Sequence, residues 1–556
     1  MAAMTSLDKA DDTMAKVTEL ETVSSAAGAT GAAAPNHDAA APPAESEGQL
    51  MRTAADELGV WQTLVRFRRV GLIAMAAAFS ASLDGYQFEL SGGIVANKGF
   101  IRQFASPGTT IIAGSYVSAW GGMQSAGQCI GQVLIQYASE AWGRKRALLI
   151  LWAVLIASIL VESLSTHWLH WLAAKVLAGA GLGMLQCTLP LYLTELAPTA
   201  VRGFYINAYT LWFIAGKLFA SIALNSLDRL APLDFRTPVY TQWGMVAAAG
   251  LIFVLLPETP WWLVSKDKFA QAERVLRRCH GQVPGFDVME QLGAMRATVA
   301  LERRLAETSH QAGAWEVFRG RNLLRFVVAG WPKLTQQFVG LAIFNTYAAY
   351  FFQAAGNDEP FFVIVLLAAM QLLSMAITCP LADRVGRRPL TVYPYAVTVL
   401  AVLGMGITGC FDLTSRAPAA LLIFFACVAG LTTTGASALG YAYAAEIPAQ
   451  RLRARTSAWS LAVSNLVALV FSFATPVMLQ GEQTQWGPKT GFFFAGTGAI
   501  SVVIAWFILP EVTRRTPAEI DELFEKRINL RQFDKHVTEV QLQAEIQLHG
   551  LKGGPS

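Results

Sequence analysis

Apolar runs of about 20 residues recur twelve times between residues 70 and 510, and this pattern limits the fold more than any other feature. A helix of that length crosses roughly 30 Å of hydrocarbon, and twelve are too many for the core of a soluble domain. Only 15% of the residues are charged, against about 25% in soluble proteins, which excludes a soluble enzyme, a nucleic-acid binder and a disordered scaffold. The predicted spans are 70–92, 112–138, 147–164, 168–193, 204–226, 239–257, 327–352, 360–382, 389–411, 418–443, 456–479 and 491–510.

The segments outside these runs divide the chain into five predicted regions. The N-terminal segment is rich in Ala, Ser, Thr, Pro and Glu and has too few apolar side chains to offset the entropy of ordering. We therefore predict a disordered tail over 1–68, a six-helix bundle over 69–257, a linker with short helices over 258–325, a second six-helix bundle over 326–511 and a C-terminal tail over 512–556.

Lys and Arg residues predict how the chain is oriented. Loops after even-numbered helices contain 21 of these residues, and loops after odd-numbered helices contain 6. Loops that are rich in positive charge stay on the cytoplasmic side. Both tails and the even-numbered loops are therefore predicted to be cytoplasmic.

Three landmarks in the even-numbered loops occur twice, once in each half of the chain. A nearly constant offset between partners indicates two similar six-helix halves, an arrangement typical of transporters with a central cavity. The partner positions are Gly143 and Gly386, Glu195 and Glu446, and Pro257 and Pro510, at offsets of 243, 251 and 253 residues.

The glycine run Gly179-x-Gly181-x-Gly183 resembles a nucleotide-binding loop. It lies in the middle of an apolar span, without a preceding strand, so it indicates close packing of helix 4 against a neighbour. The six Cys residues show neither a metal-ligand spacing nor a disulfide pattern, and we predict no metal and no cofactor.

Several motifs together resemble the sugar porter family of the major facilitator superfamily, over about residues 70–535. Finer features, such as Thr237-Pro-x-x-x-Gln242-Trp243 and Tyr350-Phe-Phe-Gln353, resemble its fungal α-glucoside and hexose branch. The resemblance implies an all-α membrane protein with twelve transmembrane helices in two six-helix bundles. The motifs are Pro190-Leu-Tyr192, Glu195-x-x-Pro198, Arg202-Gly203, Pro257-Glu-Thr-Pro260, Gln336-Gln337-x-x-Gly340 and Pro510-Glu-x-Thr513.

The resemblance also implies substrate-binding residues. Gln336 and Gln337 match the sugar-binding pair on helix 7, and each amide offers an acceptor and two donors for hydroxyl groups. Tyr441 stands where the family often has an aromatic stacking partner on helix 10. Asn345 and Asn465 are weaker candidates for the same site.

The chain departs from the family pattern at several cavity positions, one of which is the helix 1 Asp that carries the proton in symporters of the family. Gln87 replaces the helix 1 Asp, Lys175 replaces the helix 4 Arg, and Ala342 replaces an Asn on helix 7, so we expect a less polar cavity. Asp84 lies one helical turn from Gln87, and we predict that it forms a proton-coupling pair with Lys175. Plain mutual neutralisation of the two charges is the alternative. Glu89 is predicted to be solvated and is the next candidate for coupling.

Charged residues on the cytoplasmic rim are predicted to gate the carrier. Ion pairs among them would hold the two halves together when the carrier is open outward, and plain topogenic charge is the alternative reading. The predicted gating residues are Arg144, Glu195, Arg202, Asp383, Arg387 and Glu446.

The leading hypothesis is a proton-coupled carrier of a sugar or polyol that works by alternating access. An exporter of a small hydrophobic or phenolic secondary metabolite on the same fold is the alternative, favoured by the expected loss of polar groups. A nutrient receptor is a third reading, which the ordinary length of the C-terminal tail disfavours. No nucleophile–base set supports an enzyme. The expected partners are a small-molecule substrate, protons and the lipid bilayer, without nucleic acid, and we expect a monomer in the plasma membrane.

Overall fold

The computed structural model consists of helices and connecting loops throughout the residues that it describes. Much of the predicted N-terminal tail, 1–59, and the end of the C-terminal tail lie outside the described residues. The described chain is 60–539 without 106–111, 199–200, 281–282, 284–285, 309–313, 356–358, 414, 450–451, 481–485, 514 and 516.

The described residues of the first half form nine α-helices, because helix 1 is divided and short helices flank it. Helix 1 is interrupted at Ser80, where the backbone N–H bonds the carbonyl of Ala77 instead of continuing the regular pattern. In chain order the helices are α1 (Val60–Arg66), α2 (Arg68–Phe79), α3 (Ala81–Gly93), α4 (Lys98–Phe104), α5 (Gly114–Trp142), α6 (Arg144–Leu164), α7 (Trp168–Leu196), α8 (Arg202–Leu230) and α9 (Arg236–Leu255).

The prediction of a disordered tail over 1–68 is wrong at its C-terminal end. Residues 60–66 form α1, and the following Phe67 is buried, with its ring 5.6 Å from that of His280 in the linker. Burial of an aromatic side chain offsets the entropy of ordering this short segment. The linker itself contains α10 (Pro260–Ser265), α11 (Phe269–His280) and α12 (Val288–Thr308).

The second half repeats the plan of the first, with its own divided helix. Helix 7 ends its regular part before Gly340, which has φ +91°, and continues as a π-helical turn over Ala342–Thr346. The helices are α13 (Gly320–Phe338), α14 (Ala348–Ala354), α15 (Pro360–Val385), α16 (Arg387–Thr408), α17 (Arg416–Glu446), α18 (Arg453–Gln480), α19 (Thr490–Ile508) and the tail helix α20 (Pro517–Glu525).

Nine helices in the described part of the chain are long and apolar enough to cross a membrane. The remaining three of the twelve predicted spans are helices 1 and 7, which are divided, and α5, which carries the glutamines Gln124, Gln128 and Gln132. Broken or polar helices are tolerated at membrane depth where they line a cavity. These three segments do line one, as described below.

Small residues let the helices of the first half approach closely. A Cβ atom at Gly179 or Gly183 of α7 would collide with the backbone of α5 at Gln124 or Gln128. The predicted role of the glycine run in helix packing is therefore confirmed. Between the halves, a Cβ atom at Gly92 of α3 would collide with the carbonyl oxygen of Thr346 in the π turn.

Candidate functional site

A cavity of about 200 Å³ lies between the two halves, at the middle of the helices. It is walled by α3, α5, α7 and α8 from the first half and by helix 7, α15, α17 and α18 from the second. Seven predicted residues lie on its wall, although the chain separates some of them by hundreds of residues. They are Asp84, Lys175, Gln336, Gln337, Asn345, Tyr441 and Asn465.

Amide side chains that lie outside the family motifs also line the cavity, beside the predicted residues. Asn465 donates to Gln132 at 2.7 Å across the two halves, and Gln132 donates to Gln186 at 3.4 Å. None of the motifs includes the α5 glutamines, Gln124, Gln128 and Gln132. Their spacing of four residues places them on one face of α5. The amides that sequence reasoning missed on the wall are Gln124, Gln128, Gln132, Gln186 and Gln371.

Six Asp, Glu and Lys side chains are buried at membrane depth in the described chain, and four of them form two ion pairs. In the first pair, Lys175 Nζ lies 2.8 Å from Glu162 Oε1, with both side chains at most 1% exposed. Gln87 and Gln242 each donate to the same carboxylate. The carboxylate missing at position 87 is thus supplied by Glu162 of helix 3, which is the sole acidic residue of its apolar run and could have been noticed for that reason.

The second pair lies within the first half, and its lysine also bonds to the second half. Lys217 Nζ of α8 lies 3.2 Å from Glu89 Oε2 of α3, and it also donates to Asn345 and, at 3.2 Å, to Gln371. Glu89 is 6% exposed, so the prediction that it is solvated is wrong. A lysine with a carboxylate on one side and two amides from the other half is well compensated despite its burial.

The predicted pair of Asp84 with Lys175 is not formed in the structure. Asp84 accepts hydrogen bonds from Tyr209 at 3.0 Å and from Gln186 at 3.4 Å, while Lys175 is held by Glu162 on the neighbouring helix. Lys175 also donates to Ser91. Within the described chain, Asp84 has no ion-pair partner.

Lys333 is the sixth buried group, and it has no carboxylate within ion-pair distance among the described residues. Its Nζ donates to Ser437 at 3.0 Å and, at 3.4 Å, to Gln336, and it lies 3.5 Å from the centre of the Tyr441 ring. A hydroxyl, an amide and an aromatic face stabilise an ammonium group less than a carboxylate does.

The end of the first half at which α6 begins is organised around Gly143. Its φ of +104° turns the chain sharply, and the first N–H groups of α6, those of Arg144 and Lys145, donate to Glu258 at 2.9 and 3.1 Å. Burial raises the pKa of the Glu258 carboxyl, and these N–H bonds oppose that rise. The Arg144 side chain binds Glu195 at 2.8 Å.

The second half has the same arrangement around Gly386, whose φ is also +104°. The N–H groups of Arg387 and Arg388 each donate to Glu511 at 3.0 Å, and the Arg387 side chain pairs with Glu446.

Each rim pair therefore lies within one half. This corrects the expectation that these pairs join the halves. Arg144 pairs with Glu195 inside the first bundle, and Arg387 pairs with Glu446 inside the second. Neither of these two pairs connects the bundles. The side chains of the two remaining predicted gating residues, Arg202 and Asp383, lie outside the described part of the structure.

Comparison with known proteins identifies the family. The model of the family described as sugar (and other) transporter matches residues 73–524. The chain belongs to this transporter family. It is a multi-pass membrane protein and a transporter, not an enzyme.

Curated members of the family include fungal relatives. The general alpha-glucoside permease of Saccharomyces cerevisiae is 28% identical over 496 residues, which cover 86% of this chain and 79% of the permease. The major facilitator-type transporter ecdD of Aspergillus rugulosus is 26% identical, over 86% of this chain and 92% of that protein. The resemblance to the fungal sugar porter branch is confirmed.

A solved structure shares the fold of the chain. The proton:xylose symporter XylE bound to 6-bromo-6-deoxy-D-glucose superposes with a TM-score of 0.65 at 19% identity, over 82% of this chain and 99% of that one. The all-α major facilitator fold is thereby confirmed.

Proposed function

We propose that the protein carries a sugar or polyol across the membrane together with protons. The observation that carries this proposal is the amide-lined cavity between the halves, with Asp84 on its wall. Amides bind several hydroxyl groups at once, each as donor and as acceptor, and Tyr441 offers a ring face to a pyranose. This amide content also favours a sugar over the small hydrophobic metabolite of the alternative hypothesis.

Asp84 is the proposed site of the coupling proton. It is fully buried and is held by a hydroxyl and an amide instead of a cation. A carboxylate in such surroundings gains a proton more readily than one beside a lysine, so opening the cavity to water on either side changes its proton affinity. Lys175, in contrast, pairs with Glu162 and holds the outer part of helices 1, 3 and 4 together.

Alternating access is the proposed mechanism, with the two bundles moving as units. Contacts between the halves lie on the side of the cavity that we predict to face outward. They include the Lys217–Asn345 bond, the approach of Gly92 to Thr346, and a bond from Tyr350 to the carbonyl of Ile112 at 3.3 Å. These contacts must break when the cavity opens outward. On the opposite side of the cavity, the pairs of Arg144 with Glu195 and of Arg387 with Glu446 stabilise the end of each bundle.

The remaining expectations form part of the same proposal. We expect a monomer in the plasma membrane, with both tails and the linker over 258–325 in the cytoplasm. Bundles over 69–257 and 326–511 are the proposed moving units.

Purified protein in liposomes tests the proposal. The wild type should take up a neutral sugar or polyol from a panel and should concentrate it when the outside is acidified. Asp84→Asn should lose accumulation and retain exchange of the same solute across the membrane, because the amide cannot take up and release a proton. Glu525→Gln, which changes an exposed carboxylate of α20, is the matched control and should behave as wild type. Accumulation by Asp84→Asn at the wild-type level would refute the coupling role.

A further inference from the structure

Two of the six ionisable side chains buried at membrane depth have no partner of opposite charge among the described residues. Glu162 and Lys175 form one pair and Glu89 and Lys217 form the other, which leaves Asp84 on α3 and Lys333 on α13. Each of these two residues contacts only neutral groups among the described residues. A buried charge without a paired and hydrogen-bonded countercharge is costly, so a protein rarely retains one without a use for it.

Lys333 is placed to meet a ligand. It lies on the cavity wall beside the predicted sugar-binding residue Gln336, and its ammonium group sits over the ring of Tyr441. The serine and the glutamine that bind it accept two of its three N–H groups. An ammonium group held in this way has a donor and a full charge left for a group in the cavity.

We infer that the substrate is a sugar acid, and that Lys333 binds its carboxylate while the amides bind its hydroxyl groups. The inference rests on the proposed function and deepens it by naming the substrate class. A carboxylate would supply the countercharge that the described residues do not place beside Lys333. Its hydrogen bond with the ammonium group joins two charged groups and is stronger than a bond from a neutral hydroxyl of a sugar. Tyr441 then has two contacts, the ammonium group and the apolar face of the sugar ring.

The charge of the cavity agrees with such a substrate. With both ion pairs formed and Asp84 protonated, Lys333 leaves the buried group with one net positive charge. An anionic substrate that enters with one proton on Asp84 would neutralise this charge. A neutral sugar would leave it uncompensated.

Three matched pairs of solutes test the inference in liposomes. They are D-glucose and D-glucuronate, D-galactose and D-galacturonate, and D-glucitol and D-gluconate, and each pair differs at one carbon by a carboxylate. The wild type should prefer the acid of at least one pair. Lys333→Met should shift the KM ratio of acid to neutral partner against the acid by about tenfold to hundredfold, as expected for loss of a charged hydrogen bond.

Two variants separate a direct contact from general effects. Lys333→Arg keeps the charge and should retain most of the preference for the acid. Lys98→Met removes an exposed lysine near the outer end of helix 1 and should leave the ratio at the wild-type value. An equal change of the ratio in Lys98→Met would refute a local contact and indicate a surface-potential effect.

The double variant Asp84→Asn/Lys333→Met distinguishes substrate binding from simple balance of charge. If Lys333 only balances Asp84, Lys333→Met should impair both members of a pair equally and the double variant should restore both, which would overturn the inference. If Lys333 binds the carboxylate, the double variant should still discriminate against the acid. Variants are compared at equal amounts of protein that elutes as a single species, so misfolding is measured separately.

The outcomes also distinguish the inference from the proposed function. Transport of neutral sugars without the acids would overturn the sugar-acid inference and leave the proposed function intact. Failure to transport any of the six solutes would count against both.

Discussion

The two halves of the molecule agree closely at the ends that carry Gly143 and Gly386 and differ in the charges that they bury. At these ends the two glycines have the same φ, and a glutamate that follows the last helix of each half accepts bonds from the N–H groups after the glycine. The hydroxyls of Tyr192 and Tyr443 even bond equivalent proline carbonyls, each at 2.9 Å. Among the described Asp, Glu and Lys side chains buried at membrane depth, the first half contains three carboxylates and two lysines, and the second half contains Lys333 alone. Asp84, Lys175 and Lys333 are the ones on the cavity wall.

This difference separates two kinds of requirement. The turns at Gly143 and Gly386 hold helices together inside each bundle, and this task is the same in both halves. The cavity must recognise a solute that has no twofold symmetry, so its walls have to differ. Charge is the clearest form of that difference, since Asp84 lies on the wall of the first half and Lys333, which has no carboxylate partner among the described residues, lies on the wall of the second.

The largest expected effect concerns the buried lysines of the two halves. Lys175→Met leaves Glu162 as an uncompensated buried charge and should lower the free energy of unfolding by about 3–5 kcal/mol. Lys333→Met leaves no carboxylate behind and should be neutral or stabilising. Thermal unfolding in detergent measures both.

The double variant Glu162→Gln/Lys175→Met is the control for this comparison and should recover most of the lost stability. Equal destabilisation by Lys175→Met and Lys333→Met would mean that Lys333 has a countercharge, and the contrast between the halves would disappear.

The glycine turns should respond alike in the two halves. Gly143→Ala and Gly386→Ala each place a side chain at φ +104° and against the carboxylate of Glu258 or Glu511. Strained backbone of this kind costs about 1–3 kcal/mol, so both variants should unfold at similarly lower temperatures. Gly496→Ala, at a site in α19 with open space around it, is the control. A large difference between the two turn variants would show that the halves are not equivalent even at this end.

The smallest effect concerns the segments that pack on the ends of the two bundles, 60–67 with 272–280 in the first half and 517–525 in the second. In the first half, His280 is buried between the rings of Phe67 and Phe286, and burial lowers its pKa from 6.5 to about 4. A histidine with a lowered pKa favours the folded state above its unfolded pKa of 6.5, and this contribution is lost as the pH falls towards 4.

Hydrogen exchange should therefore become faster in 60–67 and 272–280 between pH 7 and pH 5, after correction for intrinsic rates. The cover of the second half rests on Arg325, which pairs with Asp521 and lies 4.6 Å from the Phe524 ring, so 517–525 should change less. His280→Phe should remove the pH effect, and an unchanged effect in this variant would contradict the assignment to His280.

The sequence predicted those features that local motifs specify. The turns at Gly143 and Gly386 follow from short repeated motifs, and the positions of the helices follow from hydropathy. Motifs and hydropathy both depend on residues that are close together in the chain. Helix 7 was predicted as one span over 327–352, but it is interrupted at Gly340, because an apolar sequence hides a change of backbone conformation.

The charge pairs could not be predicted in the same way. The pairing of Asp84 with Lys175 follows from the family positions of the helix 1 Asp and the helix 4 Arg, but the packing of α6 against α7 brings Glu162 to Lys175 instead. No motif assigns a partner to Lys217 or Lys333, since Asn345 and Ser437 become their neighbours only when helices distant in sequence pack together.

The contact of Gly92 with Thr346 has a practical consequence. Because no side chain fits between these two backbones, any larger residue at position 92 would separate the two halves at this contact. If the proposed alternating access holds, Gly92→Trp would trap the carrier open on this side, and a trapped state of this kind is a stable target for conformation-specific antibodies and for imaging.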